Sequence, residues 1–245
     1  MVNLEGRTAV ITGANRGIGE GMAREFHRLG LRLALCARGE IAAPAELAER
    51  VDVTDEDAML SFAARAAERL GRIDLWINNA GVVGPIAPLR KSSSAEIAAT
   101  FEINVMGVIH GTRAYVEQVR KQGGGGVLIQ MSSGASRRGF PGMLAYCASK
   151  SAVDRLTESV QAEEADAGLR AHSVAPGMID TAMHARLRQA SAEDLPQVDY
   201  FRAVKERGAF SSPEFVSRKL LEVAFDPSRR PREVVVDLPL EHPLP

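Results

Sequence analysis

Short aliphatic and β-branched runs alternate with longer helix-patterned stretches along almost the whole chain. That rhythm limits the possible folds more than any other feature of the sequence. TAVIT (8–12) leads into a helical pattern near 17–29, RLALCA (32–37) follows, and VDV (51–53) precedes DEDAMLSFAARAAERLG (55–71). IDLWIN (73–78), a long helical region from about 94 to 121, VLIQMSS (127–133), a helix over 145–165, RAHSVAP (170–176) and EVVVDL (233–238) complete the series. Near-continuous apolar strands separated by helices predict a parallel sheet covered on both faces. Right-handed crossovers then give an α/β doubly wound sheet of about seven strands.

Local punctuation refines this outline. Thr54, with Asp57 three residues on, is expected to cap the helix beginning near Asp55, and the run Gly123 to Gly126 to end the long helix before its returning strand. Between Arg38 and Val51 there is room for at most a turn or two of helix, around PAELAER (44–50). The segment 178–212 is polar, Met-bearing and weakly periodic, and it follows a strand end, where loops of such sheets build ligand sites. A substrate lid is expected there. No repeat or linker interrupts the 245 residues, enough for one buried core, so one domain over 1–245 is expected.

The net charge of -1 gives no general electrostatic reason to expect nucleic acid or an anionic membrane as partner. MVNLEGRTAVITG lacks the layout of a signal peptide and no apolar run is of bilayer-spanning length, so a cytoplasmic protein is expected. Cys36 and Cys147 fit neither a disulfide framework nor a metal site, and the five histidines show no ligand spacing. No metal is expected.

Two motifs carry chemistry. TGANRGIG (12–19) follows the first strand and opens the first helix: Gly13 permits a tight turn, Gly17 removes a Cβ that would block a ligand, and Gly19 allows helix to pack on strand. A pyrophosphate fits such a helix N-terminus. AYCASK (145–150) places Tyr146 and Lys150 four residues apart, one turn along one helix face, so that two groups titrating near pH 10 become neighbours.

With NNAG (78–81) and PGMIDT (176–181), these motifs stand in the order and spacing of the short-chain dehydrogenase/reductase family, which the chain resembles over nearly its whole length. The resemblance implies a Rossmann fold and a catalytic set of Asn104, Ser133, Tyr146 and Lys150, with Ser132 structural. It places the dinucleotide on Gly13, Asn15, Arg16, Ile18, Arg38, Asp52, Asn79, Tyr146, Lys150, Ile179 and Thr181, the last two holding the nicotinamide carboxamide. Relatives that take NAD usually carry an Asp at the end of the second strand; here Ala37 stands there, followed by Arg38. With Arg16 in the glycine turn, two guanidinium groups can converge on a 2′-phosphate, so NADPH is expected. Asp52 matches the adenine contact of the family, or otherwise leads into the following helix.

Hydride transfer to a ketone leaves an oxygen that must be protonated. Tyr146 is the expected acid, its pKa lowered by the Lys150 ammonium. Ser133 is expected to donate to the same oxygen, and Asn104 to hold a water that refills the proton through Lys150. Trp76 and Cys147 read as core, the Arg137 and Arg138 pair as surface, and His184 as lid.

The final third resembles the sepiapterin reductase and benzil reductase branch, whose members reduce vicinal dicarbonyls. The frequent D-G-G ending is absent, the chain finishing DLPLEHPLP, and a homo-oligomer, dimer or tetramer, is expected. Phe140, Met143, Met178 and Met183 would form an apolar substrate pocket. The function these features imply is NADPH-dependent reduction of one carbonyl of an aromatic, benzil-like 1,2-diketone to an α-hydroxy ketone. The alternatives are another short-chain alcohol or ketone oxidoreductase of biosynthesis, or a non-enzymatic NADPH-binding sensor, against which the complete catalytic set argues.

Overall fold

In the computed structural model, which describes residues 3–244, the alternating pattern becomes a seven-stranded sheet. Its strands are β1 (Thr8–Thr12), β2 (Arg32–Ala37), β3 (Leu47–Arg50), β4 (Leu75–Asn78), β5 (Gly126–Met131), β6 (Leu169–Ala175) and β7 (Val235–Asp237). All run parallel, in the order β3-β2-β1-β4-β5-β6-β7. The chain winds outward from β1 to β3, then crosses back to lay β4 against the other side of β1. That reversal opens a crevice at the carboxyl ends of β1 and β4, the usual place for a ligand in an open sheet.

The helices are α1 (Gly17–Arg28), α2 (Glu56–Leu70), α3 (Ser94–Phe101), α4 (Gly107–Gln122), α5 (Leu144–Glu163), α6 (Ala182–Gln189), α7 (Val198–Glu206) and α8 (Pro213–Phe225). Met22 and Phe26 of α1 and Val216 and Leu220 of α8 cover one face of the sheet with Ile11, Leu33 and Ile77. Met59 and Phe62 of α2 and Tyr115 and Val119 of α4 cover the other with Val10, Ala34 and Leu128. Trp76 centres this second layer as core: it stacks on Tyr115 at 5.6 Å, meets Phe62 edge-on at 6.3 Å, and donates its indole N–H to Asn78 Oδ1 at 2.8 Å. Asn78 in turn donates to Gln130 Oε1 at 2.9 Å, so the first Asn of NNAG is a buried strand-to-strand clip.

Four local features differ from the sequence-based expectations. The third strand is Leu47–Arg50 and not Val51 to Val53; its pairing reaches one bond further, from Val51 N–H to the Ala37 carbonyl, before the chain turns away. PAELAER therefore contributes a strand where a helical turn was expected. Its Ala and Glu favour helix, but the open edge of β2 offers hydrogen bonds, and Glu49 is fixed by Arg65 of α2 at 2.6 and 2.8 Å. The cap of α2 is Asp55, which accepts from Ala58 N at 2.9 Å, while Thr54 bonds back to Asp52. The long helix over 94–121 is broken at Glu102–Met106 by a wider π turn. The expected stop at Gly123 holds, its φ of 66° being in the left-handed region glycine favours.

Segment 178–212 carries α6 and α7, and α8 starts at its end with Ser212 accepting from Phe215 N at 3.2 Å and Pro213 in the first turn. Among the described residues no helix is long and apolar enough to cross a membrane.

Candidate active site

The turn from β1 to α1 shapes one end of the crevice. Gly13 has a φ of +67°, and a Cβ there would come within 2.8 Å of the Ala80 Cα. Gly17, at φ +58°, faces Thr181, whose methyl a Cβ there would touch at 3.4 Å. Only glycine lets the turn lie this close to the β4 end, where Gly13 and Ala14 N–H both donate to the Cys36 carbonyl, at 2.7 and 3.2 Å. Arg16 occupies the N-cap of α1 and makes no side-chain cap bond, so the first-turn amides and the positive end of the helix face the crevice.

The crevice holds about 440 Å³, and Gly13, Asn15, Arg16, Ile18, Arg38, Asp52, Asn79 and Thr181 all line it. Ile179 does not; it is buried in the core beneath. The Asn79 side chain donates to the Thr12 carbonyl at 2.8 Å and the Gly13 carbonyl at 3.3 Å, bracing the glycine turn from behind. Arg38 lies 3.9 Å from Asp52 Oδ2, and Asp52 Oδ1 accepts from Thr54 N–H and hydroxyl at 3.0 and 2.9 Å, so Asp52 both borders the crevice and leads into α2. The second-strand end carries no acid: Ala37 is buried there and Arg38 projects beyond it.

Helix α5 brings the second motif to the ends of β4 and β5. Lys150 Nζ stands 5.8 Å from the Tyr146 ring centroid and donates to the Met131 carbonyl at 2.7 Å. The Tyr146 phenol lies close enough to Ser133 for that hydroxyl to favour its ionised form, and Ser133 Oγ accepts from Ala135 N–H at 3.2 Å. Asn104, wholly buried in the π turn, accepts from Val82 N–H at 2.8 Å and donates to the Val82 carbonyl at 2.8 Å and to Ser149 Oγ at 3.0 Å. The extra residue of a π turn aims that amide sideways out of the helix. A Cβ on Gly81, which lines the crevice, would lie 3.3 Å from Asn104 Oδ1 and 3.6 Å from Lys150 Nζ. The four residues thus converge behind the crevice wall.

The electrostatics correct one expectation. Burial pushes the Tyr146 phenol above its ordinary value, opposed by the Ser133 hydroxyl. Burial also depresses Lys150, to about 8, against the upward pull of Asp154. In the protein alone, loss of water therefore outweighs any lowering of the phenol by the ammonium.

Met143, Tyr146, Cys147, Leu187, Val198 and Phe201 form a third apolar cluster, against which Phe140, Met178 and Met183 pack. The four expected substrate residues are thus gathered beside Tyr146, but only Met183 reaches the crevice; Phe140 borders a separate outer depression of about 890 Å³ under the Arg138 guanidinium. Arg186 of α6 is a crevice residue that sequence reasoning missed; it donates to the Gly84 carbonyl at 3.2 Å across the opening. Helix spacing from Met183 was the only signal for it. Asp180 fastens both α6 and α7, pairing with Arg188 at 2.9 Å and with Lys205.

A doubly wound sheet with an open glycine turn at its switch point and a Tyr–Lys pair behind the crevice defines a nucleotide-dependent oxidoreductase of the Rossmann class. The chain belongs to the short chain dehydrogenase family, whose model matches residues 7–192. It is 35% identical to the oxidoreductase UcpA of Salmonella typhimurium over 80% of this chain and 78% of that protein. It is 29% identical to a benzil reductase, (S)-benzoin forming, of Bacillus cereus over 88% and 94% of the two chains. The solved structure of levodione reductase superposes with a TM-score of 0.83 at 25% identity, covering 95% of each chain. Members of this family bind a nicotinamide cofactor and act on CH–OH or carbonyl groups.

Proposed function

We propose that the protein is an NADPH-dependent carbonyl reductase that converts one carbonyl of an aromatic 1,2-diketone to an α-hydroxy ketone. The observation that supports it most is the meeting of Tyr146, Ser133 and Lys150 beside an apolar cluster rich in Met and Phe. Gly13 and Gly17 line the crevice at positive φ, where a Cβ would press on Ala80 or touch Thr181, and such a bare turn suits a dinucleotide. Arg16 and Arg38 would hold its 2′-phosphate, Asp52 the adenosine side, and Thr181 and the Ile179 backbone the carboxamide. The exposed Arg38–Asp52 contact, worth at most about 1 kcal/mol, would yield readily to a phosphate.

When bound, the cofactor supplies the hydride. Tyr146 delivers the proton to the carbonyl oxygen, and Ser133, whose Oγ already accepts from Ala135, keeps its own proton free to donate to the same oxygen. Lys150, depressed to about 8, stands where it can change charge within the working pH range and pass a proton toward the phenol. Asn104 fixes the Val82 backbone beside Lys150 and keeps a lone pair on Oδ1 for a relaying water. Helices α6 and α7 serve as the lid, with Met178 and Met183 facing the ring system of the substrate beside Phe140 and Met143. The name of the Bacillus cereus relative supports the diketone. This reading also includes a cytoplasmic homo-oligomer, dimer or tetramer, which light scattering measures.

The test is absorbance at the reduced-nicotinamide band with NADPH or NADH over a panel of mono- and dicarbonyls. Faster consumption of NADPH with benzil-like diketones is the expected result. Turnover of simple aldehydes and monoketones without benzil would assign the protein to the broader alcohol and ketone class. A preference for NADH would remove the role given to Arg16 and Arg38.

A further inference from the structure

Helix α5 carries a third polar side chain on the face that presents Tyr146 and Lys150. Asp154 follows Lys150 by four residues, one more turn along the helix, and is 3% exposed. Its Oδ1 accepts from the hydroxyls of Ser132 and Ser173, each at 2.6 Å, and its Oδ2 lies 3.5 Å from Arg137 Nη1. Two successive residues at the end of β5 are thereby bound to two successive turns of α5, with Ser133 next to the turn before them. Met131 offers its carbonyl to Lys150 and Ser132 its hydroxyl to Asp154, while Ser133 stands beside Tyr146.

We propose that Asp154 is a positioning residue for proton transfer: its carboxylate locks the Met131–Ser133 strand end against α5, and its charge keeps the neighbouring Lys150 ammonium in place behind the crevice. This rests on the reading of Tyr146 and Lys150 given above. A carboxylate in the interior is tolerated only with bonds to satisfy it, and here the bonds come from β5 and β6, so the cost of burial is offset by contacts that set the register of the reacting groups. Secondly, among the groups around Lys150 it is the anion that opposes desolvation of the ammonium. The other charged or titratable groups facing this cluster are Tyr146 and its neighbour Cys147 on α5, Arg137 from the turn after β5, and Asp237 of β7, which pairs with Arg137 at 3.2 Å. Ser173 belongs to β6 and is wholly buried, so the clip spans the two strands on which α5 rests.

The experiment compares Asp154→Asn, Asp154→Glu and Lys150→Met in the full chain, with thermal unfolding, NADPH binding by fluorescence and the pH profile of kcat for diketone reduction. Asp154→Asn is expected to fold and bind NADPH, to lose about 10-fold or more in kcat as expected of misplaced reacting groups, and to move the high-pH limb down by about one unit. Asp154→Glu should restore the limb. A merely structural clip would lower thermal stability and leave the limb where it is, and that result overturns the proposal. If Asp154→Asn fails to fold, Ser132→Ala and Ser173→Ala, each removing one bond to the carboxylate, take its place; kcat unchanged in both overturns it. Full turnover by Lys150→Met would instead overturn the reading of the site itself, whatever Asp154 does.

Discussion

Tyr146 is where the functional reading is most exposed to test. Its phenol is buried and raised above its ordinary value by that burial, so at neutral pH it is a proton donor in waiting. Tyr146→Phe removes the proton and keeps the ring within the apolar cluster. Carbonyl reduction should fall by about 10² to 10⁴, the usual contribution of a positioned acid, with NADPH affinity little changed. Stopped-flow turnover and fluorescence titration separate the two. Retention of full activity would revive a different donor or a non-enzymatic role. The pair Tyr146 and Lys150 was readable from spacing alone because four residues make one helical turn. The reversal of the expected pKa trend was not, because desolvation depends on what the fold packs around the pair.

Among the elements, the lid holds a second titratable group with a definite pH signature. His184 of α6 packs against Phe201 of α7 at 5.9 Å and Phe210 at 5.4 Å. Burial depresses it to about 4; Arg188 adds to the effect and Asp180 opposes it. A histidine with a folded pKa below its unfolded value contributes stability that is present above about 6.5 and is lost as pH falls toward 4. The loss reaches on the order of 3 kcal/mol at most. The Asp180 ion pairs with Arg188 and Lys205 persist through this range, since Lys205 and Arg188 hold that carboxyl below its usual value. Proteolysis of segment 178–212 should therefore rise between pH 7 and pH 5, and His184→Leu should flatten most of that rise. An unaltered pH dependence in the variant would show that another group governs opening. The third strand teaches the same lesson from the other direction: LAER has helical preferences, yet pairs with β2 because a free sheet edge and Arg65 outweigh propensity.

For the molecule as a whole, the sheet separates two apolar layers. Phe26 and Trp76, both fully buried, centre opposite sides. Truncation of either to Ala should cost about 3 to 5 kcal/mol in urea unfolding. Because the two share no partner, the double variant should lose nearly the sum while both faces unfold in one transition. Two separate transitions would mean that the faces unfold independently. Asn104 also belongs at this scale: its π turn, the Val82 backbone, Ser149 and Lys150 come from three distant stretches, joined only when α3, α4 and α5 pack together.

Much of this is carried by the residues themselves. Apolar runs of strand length between helical patterns fix a parallel sheet, since backbone amides buried on both faces must pair with neighbouring strands. Glycines at 13, 17 and 19 announce a ligand cradle because no other residue tolerates that backbone and proximity. Tertiary packing alone decided which edge residues pair as β3, that Asn79 braces the turn, that Arg186 spans the crevice, and that burial outweighs charge at Tyr146 and Lys150. Those outcomes depend on distances between residues far apart in the chain and on how much water is excluded between them, neither of which is encoded in local spacing.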